Sequence, residues 1–287
     1  MTERVNNSRR QLFKCAGALA VATTLPTRGT AAVATLKGMQ VRKLSWAGVL
    51  IETDNTALFI DAIDVDEKKG EKPEVLTTAH HTDAVITHHH GDHFDKALVR
   101  KLLGDDGRLV CVRAALDWVD QRGLRVQPVD MWQPVFFPPA GDDLVAFPVP
   151  AVDGWGSPQV SWVIDGGGVR IFHGGDTQWH ADLVNVGRAY GPFDVAFLPI
   201  NGASQQVGRY VYQGIPAVLT PSQAVAAAQL LRAKVIVPIH FGGSDPPTYV
   251  EVPDPLGELQ RTAKSAGISV RVMGTGDSFH VDRTPNR

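Results

Sequence analysis

The stretch ITHHHGDHFD, residues 86–95, brings four candidate metal ligands into six positions: His88, His90, Asp92 and His93. An apolar run at 83–87 leads into this stretch and predicts a buried strand, and the pattern at 95–103 predicts a helix that follows it. In α/β domains the chemistry lies in loops at the carboxyl ends of strands. We therefore expect residues 86–95 at a functional edge of the fold.

The spacing of these side chains indicates a metal site. Alternate residues of an extended loop point the same way, so His88 and His90 are expected to converge on one point. Asp92 and His93 follow where the chain turns into the helix, and they can face a neighbouring point. Imidazole nitrogens with one carboxylate suit a zinc-like divalent ion. The alternatives are a solvated histidine-rich loop or an artificial tag, but the run is internal and Gly91 and Asp92 interrupt it.

The composition is that of an ordinary globular protein. Of the 287 residues, 44% are hydrophobic and 20% are charged, which argues against disorder and allows one large α/β domain or two small ones. The formal net charge of -2 gives no basic footprint for nucleic acid. Two cysteines, Cys15 and Cys111, are too few for a disulfide framework.

The amino-terminal segment has the features of an export signal. Paired arginines in SRRQLFK, residues 8–14, precede a short apolar stretch at 15–22. That stretch is shorter than the about 20 residues that a membrane-spanning helix needs. Small residues at 32–34 have the A-x-A spacing of a cleavage site.

This segment resembles a twin-arginine signal, although Leu12 and Phe13 stand in the reverse of the usual order. We predict a signal peptide at 1–34 and a single domain at 35–287. The expected partner is then the twin-arginine translocation machinery, and the expected location is periplasmic or extracellular. The alternative is an amino-terminal tail with a chance arginine pair.

Further candidate ligands lie at the ends of other predicted strands. They are Asp61 at the end of 57–61, Asp153 after 144–152, Asp176 in GGDT at 174–177, and His240 after 235–239. Five strand ends in all therefore carry candidate ligands or their supports. For Asp61 two interpretations have equal weight: it orients a ligand histidine from behind, or it forms a strand-end turn or helix cap.

The order of these motifs resembles the metallo-β-lactamase superfamily over residues 41–281. The pattern H-x-H-x-D-H at 88–93 is followed by Asp176 within Gly-Gly-Asp-Thr and by His240 within Pro-Ile-His. The resemblance implies an α/β fold of one domain, a four-layer αββα sandwich, with two divalent metal ions.

A narrower likeness is to the branch that holds L-ascorbate-6-phosphate lactonase and N-acyl phosphatidylethanolamine phospholipase D. It depends on GVLIE at 48–52, on GDT at 175–177, and on the span from TP at 220–221 to PIH at 238–240.

The resemblance also implies a division of the ligands. One metal takes His88, His90 and Asp153, the second takes Asp92, His93 and His240, and Asp176 bridges them. One departure from the family pattern concerns Asp153, because a further histidine is usual there and none occurs between His93 and His173. Zinc is the expected metal, but a carboxylate in that place could favour manganese or iron over zinc, or weaken metal retention. The alternative is that Asp153 only forms a turn before Gly154.

The activity implied by the resemblance is metal-dependent hydrolysis of a small molecule. A hydroxide activated by the two metals would attack an ester, lactone, amide or phosphodiester, with Asp92 and Asp176 as catalytic residues. The expected substrate contacts are Arg209, Tyr210 and Tyr212, in a loop that could equally be solvated.

Three further interpretations remain open at this stage. Trp46 and Trp155 line the mouth of the site or pack in the core. A nuclease of the same superfamily is a second function, which the acidic charge disfavours. A non-catalytic metal-binding protein with an altered site, owing to Asp153, is the third.

Overall fold

The computed structural model describes residues 38–64, 81–137, 144–207, 210–212 and 214–283. Residues Thr35–Arg287 form one compact unit. The predicted signal peptide lies outside the described residues. Among the helices of the described residues, none has both the length and the apolar character of a membrane span.

Short strands and helices alternate along this part of the chain. The strands are β1 (Met39–Lys43), β2 (Val49–Glu52), β3 (Thr56–Ile60), β4 (His81–Val85), β5 (Leu109–Val112), β6 (Val126–Val129), β7 (Val135–Phe137), β8 (Leu144–Pro150), β9 (Val160–Gly166), β10 (Val169–His173), β11 (Val195–Pro199), β12 (Ser204–Val207), β13 (Tyr210–Tyr212), β14 (Val235–Ile239), β15 (Tyr249–Val250), β16 (Ser269–Val270) and β17 (Ser278–Val281). The helices are α1 (Lys96–Leu103), α2 (Asp182–Ala189), α3 (Pro221–Leu231) and α4 (Pro255–Ala266), with a 3₁₀ turn at Arg113–Ala115.

Two mixed sheets form the body of the domain. The strand order is β17-β1-β2-β3-β4-β5-β6 in the first sheet and β16-β14-β11-β10-β9-β8-β7 in the second. Strands β3 to β6 run parallel in the first sheet, and β10, β11, β14 and β16 run parallel in the second. A small third sheet has the order β13-β12-β15. Because parallel strands end at the same edge, each sheet collects several carboxyl ends there.

Three hydrophobic clusters establish the order of the layers. The cluster between the sheets contains Trp162, which is fully buried. A second cluster, with Phe172 and Ala228, joins the second sheet to α2, α3 and α4. A third, with Phe59 and Val99, joins the first sheet to α1. The resulting order of helix, sheet, sheet and helix confirms the expected four-layer αββα sandwich in a single domain.

The strand that leads into the histidine-rich loop ends earlier than expected. We expected a strand at 83–87, whereas β4 covers His81–Val85. Thr87 lies beyond it because its backbone N–H donates to the side-chain Oδ1 of Asp61, at 2.7 Å, instead of to a strand. The loop then runs to Asp95, whose side chain caps the first turn of α1.

Candidate metal centre

The structure brings all seven candidate ligands together in two groups. One group consists of His88, His90 and Asp153, and the other consists of Asp92, His93, Asp176 and His240. In each group the ligand atoms lie within 4.8 Å of one another. The residues follow strands β4, β8, β10 and β14, so both sheets contribute. The groups match the division that the resemblance implies for the other six residues, whereas Asp176, the expected bridge, falls in the second group only. The role of each ligand stays a prediction.

Asp176 lies between two imidazoles of the four-residue group. Its Oδ1 is 2.9 Å from His93 Nε2, and its Oδ2 is 2.9 Å from His240 Nε2. Within the described residues, however, neither of these buried nitrogens nor Asp176 Oδ1 has a partner in hydrogen-bond alignment. Polar atoms that lie close together without forming a hydrogen bond with each other can instead bind one common partner between them. Nitrogen and carboxylate oxygen donors fit a divalent cation as that partner.

Charge pairing keeps this buried group stable. Burial would raise the pKa of Asp176, but the imidazoles of His240 and His93 hold it well below its usual range. Burial would lower the pKa of His93, but Asp176, Asp92 and Asp61 raise it well above its usual value. The pKa of His240 is also raised against burial, chiefly by Asp176. Without a cation, both imidazoles therefore hold protons that metal binding would displace.

The three-residue group is built around two facing imidazoles. His88 Nε2 and His90 Nδ1 are 3.0 Å apart. At the other nitrogen of each ring, His88 Nδ1 lies 3.0 Å from the Thr87 hydroxyl and His90 Nε2 lies 2.8 Å from the Ser157 hydroxyl. When each hydroxyl accepts the N–H of its ring, the two nitrogens that face each other, His88 Nε2 and His90 Nδ1, carry no proton. Both then have a lone pair free to bind one cation. Burial, and then the charge of His93, lowers the pKa of His88 to about 3, so this ring is neutral.

Asp61 connects the two groups from behind. Its Oδ2 accepts hydrogen bonds from the Thr87 hydroxyl at 2.7 Å and from His93 Nδ1 at 2.8 Å. Although burial raises the pKa of Asp61, the imidazoles, first His93, lower it overall, so the carboxylate is ionised. Asp61 therefore contacts His93 directly and His88 through the Thr87 hydroxyl. These are the contacts of a residue that orients ligand histidines.

The position of Asp153 allows both of the roles weighed from the sequence. Its Oδ2 accepts the backbone N–H of Trp155 at 2.9 Å and that of Ser157 at 2.8 Å, which shapes a turn. Its Oδ1 is then the oxygen left for the group with His88 and His90. The two roles are compatible because one carboxylate oxygen can accept the turn's N–H groups while the other binds a metal. An imidazole that binds a metal through one nitrogen has a single nitrogen left for the turn.

Several contacts of the site could not be foreseen. Trp46 is 3% exposed, so the core interpretation holds for it, yet its Nε1 donates to Asp92 Oδ2 at 3.1 Å. Its ring also packs on His240, with centroids 4.3 Å apart. The hydroxyl contacts of Thr87 and Ser157 were likewise missed. No sequence signal reveals them, because each depends on how distant segments meet.

A cavity of about 450 Å³ is lined by members of both groups. Beyond the ligands, its wall includes Trp155, Gln206, Ala217 and Tyr249. Trp155 thus lines the cavity, which agrees with the first of the two interpretations given for it.

The expected substrate contacts lie mostly beyond the described structure. Arg209 is outside the described residues. Tyr210 and Tyr212 belong to β13, but their side chains are not described. Gln206 and Tyr249, which the sequence did not single out, come from β12 and β15 of the same small sheet.

Replacing Asp61 tests whether this carboxylate orients the ligands. The Asp61→Asn variant should bind zinc about 10- to 100-fold more weakly, because an amide cannot accept at both positions. Competition with a chelator measures this, and circular dichroism checks the fold. Asp120→Asn is the matched control, since the described contacts of that carboxylate are surface ones, ion pairs with Lys96 and Arg122 and a hydrogen bond from the Arg122 backbone N–H. Equal zinc affinities in Asp61→Asn and the parent would contradict the assignment.

Metal binding should release protons. Because the pKa of His93 is raised well above its usual value and that of His240 is also raised, a cation must compete with protons for both imidazoles. Zinc affinity should therefore weaken as the pH falls from 8 to 6. Calorimetry in buffers of different ionisation enthalpy counts the protons. Zinc binding without proton release at pH 7 is the contrary result.

The sequence matches a known family and its curated relatives. The family model for the β-lactamase superfamily domain matches residues 65–241. A UPF0173 metal-dependent hydrolase of Thermococcus kodakarensis is 27% identical over 212 residues, covering 71% of this chain and 84% of the relative. One from Thermus thermophilus is 24% identical over 266 residues, covering 85% of this chain and 100% of the relative.

Solved structures share the fold at low identity. Igni18, a metallo hydrolase from Ignicoccus hospitalis, matches with a TM-score of 0.66 at 23% identity, over 85% of this chain and 98% of that one. CmlA, a diiron β-hydroxylase from Streptomyces venezuelae, matches with a TM-score of 0.65 at 13% identity, over 85% of this chain and 54% of that one. The predicted enzyme class agrees with these matches: the chain belongs to the β-lactamase superfamily, and its curated relatives are named metal-dependent hydrolases.

Proposed function

We propose that the protein is a hydrolase that holds two divalent cations, one in each ligand group, with Asp176 between them. The observation that carries this proposal is the convergence of seven nitrogen and oxygen ligands in two groups that line one cavity. When bound, the cations would lower the pKa of a water and polarise the bond to be cleaved, which allows attack near neutral pH. The bond is an ester, lactone, amide or phosphodiester.

Asp92 is the carboxylate best placed to exchange a proton with the substrate. Its side chain is 40% exposed, against 11% for Asp176, and both line the cavity. Burial would raise the pKa of Asp92, but His93 and His240 lower it overall, so the carboxylate is ionised. Trp46 donates to Oδ2, so Oδ1 is the oxygen that we propose exchanges a proton with the leaving group. Asp176 is the second catalytic residue in this proposal, since its two carboxylate oxygens lie 2.9 Å from His93 Nε2 and from His240 Nε2 and it lines the cavity.

Asp153 affects which cations the site prefers. Zinc is the first candidate for both groups, since imidazole and carboxylate are among its usual ligands. A carboxylate oxygen is a harder ligand than the imidazole nitrogen of the family's usual histidine. The group with His88, His90 and Asp153 therefore has a harder donor set. Manganese or iron is therefore proposed as the alternative occupant of that group.

A small-molecule substrate is proposed rather than a nucleic acid. A cavity of about 450 Å³ is in the range of small-molecule sites. The described lining residues include no lysine or arginine, which a nuclease would use against phosphates. We also propose that the reaction resembles those of the branch named from the sequence, which holds the lactonase and the phospholipase D. Substrate contact by Arg209, Tyr210 and Tyr212 remains part of the proposal.

The metal-loaded full chain should hydrolyse at least one member of a panel of nitrophenyl esters, lactones, anilides and bis-p-nitrophenyl phosphate. A chelator should abolish turnover and added zinc or manganese should restore it. Asp176→Asn should lower kcat by at least about 100-fold, because the shared carboxylate loses a charge. Asp130→Asn is the control, since Asp130 only pairs with Arg113 on the surface. Two metals bound with no turnover on the panel would support a non-catalytic metal-binding protein instead.

Export by the twin-arginine route is also proposed, on the basis of the paired arginines at 8–14, the apolar stretch at 15–22 and the cleavage-site spacing at 32–34. In a bacterial host, replacing both Arg9 and Arg10 by lysine should keep the protein in the cytoplasm with the signal uncleaved. Fractionation and mass spectrometry of the amino terminus measure this. Export of the double variant at the parental level would refute the signal.

A further inference from the structure

We infer that Trp155 is a specificity-determining residue of the proposed hydrolase. It forms an aromatic wall beside the group of His88, His90 and Asp153, and it selects substrates with an uncharged aromatic or alkyl group next to the bond that is cleaved. The inference rests on the proposed function and deepens it by naming a class of substrate.

The position of Trp155 is the first support. The side chain is 53% exposed and lines the cavity. Its ring centroid lies 6.3 Å from that of His90, at an interplanar angle of 74°. A group attached to a substrate at the three-residue group therefore lies within reach of the indole face. Large apolar side chains left in contact with water beside a cavity mark ligand-contact surfaces.

Asp153 holds the wall in place. Its Oδ2 binds the backbone N–H groups of Trp155 and Ser157, and its carbonyl oxygen accepts the N–H of Gly156 at 3.1 Å. Gly156 has a φ of 81°, a left-handed value that allows the chain to turn back toward Asp153. Three hydrogen bonds to one residue make the loop rigid. A rigid aromatic side chain loses little conformational entropy when a ligand packs on it.

Contacts beneath the loop prevent it from folding away. The carbonyl oxygen of Gly154 accepts a hydrogen bond from Gln205 Nε2 at 2.8 Å, and Gln205 is buried. A Cβ atom added at Gly154 would lie 2.6 Å from the carbonyl oxygen of Ala217, so the backbone packs directly on that segment. The indole is therefore exposed because its loop is fixed there, and not because the loop is loosely packed.

Other exposed apolar side chains lie on segments joined to the same loop. Val152, Trp179 and Ile215 are 41%, 44% and 57% exposed. Gln178 links their segments, because its backbone N–H donates to the Val152 carbonyl at 2.8 Å and its side chain donates to the Pro216 carbonyl at 2.7 Å. These hydrogen bonds tie the segments of Trp179 and Ile215 to the chain just before Asp153, so the surroundings of the Trp155 loop are held together as well.

Hydroxamates test the inference without turnover, because they bind metal sites and vary only in the attached group. The zinc-loaded full chain is titrated with acetohydroxamate, benzohydroxamate and octanohydroxamate by calorimetry. The two larger probes should bind about 2- to 10-fold more tightly than acetohydroxamate. In Trp155→Ala that ratio should fall to about one, and in Trp155→Phe most of it should remain. Phe136→Ala, a loss of an aromatic side chain that is 68% exposed elsewhere, should keep the parental ratio.

The outcomes separate this inference from the proposed function. Equal affinities for the three probes, a ratio that survives in Trp155→Ala, or no hydroxamate binding at all would overturn the inference. A ratio that depends on Trp155 in a protein that hydrolyses nothing on the panel would uphold Trp155 as the apolar contact for a ligand and count against the hydrolase. Ester turnover with no preference for the larger acyl groups would support the hydrolase and overturn the inference about Trp155.

Discussion

One buried carboxylate, Asp61, determines how the rest of the site is arranged. A buried charge is costly unless it is fully paired, and Asp61 is paired by the backbone N–H and hydroxyl of Thr87 and by the His93 ring. These bonds end strand β4 and fix the direction in which the loop leaves the sheet. Asp61 contacts Nδ1 of His93 directly and Nδ1 of His88 through the Thr87 hydroxyl. Both rings therefore turn their Nε2 atoms toward the other candidate ligands.

The second sheet is joined to this network through a close backbone approach. Gly175 has a φ of 58°, and a Cβ atom there would lie 2.8 Å from the Thr87 hydroxyl. Only glycine therefore lets the Gly-Gly-Asp turn come near enough for Asp176 to reach His93.

Much of the fold and of the ligand set could be predicted, because strand ends and motif order are local properties of the sequence. Ligand candidates at the ends of five strands are local in this sense, and the parallel halves of the sheets bring them together. Contacts such as Trp46 with Asp92, or Ser157 with His90, depend on the packing of distant segments and leave no local pattern. The end of β4 was misplaced for the same reason, since a side chain from another strand competes for the Thr87 amide.

In the proposed function, the choice of metal depends on Asp153, because its carboxylate adds an oxygen donor to the two imidazoles of His88 and His90. The most direct test of the account is anomalous diffraction from crystals of the metal-loaded protein at the zinc, iron and manganese edges. The account predicts two peaks about 3.5–4 Å apart on either side of Asp176, one of them at Asp153. A single peak, or a second peak away from His88, His90 and Asp153, would contradict it.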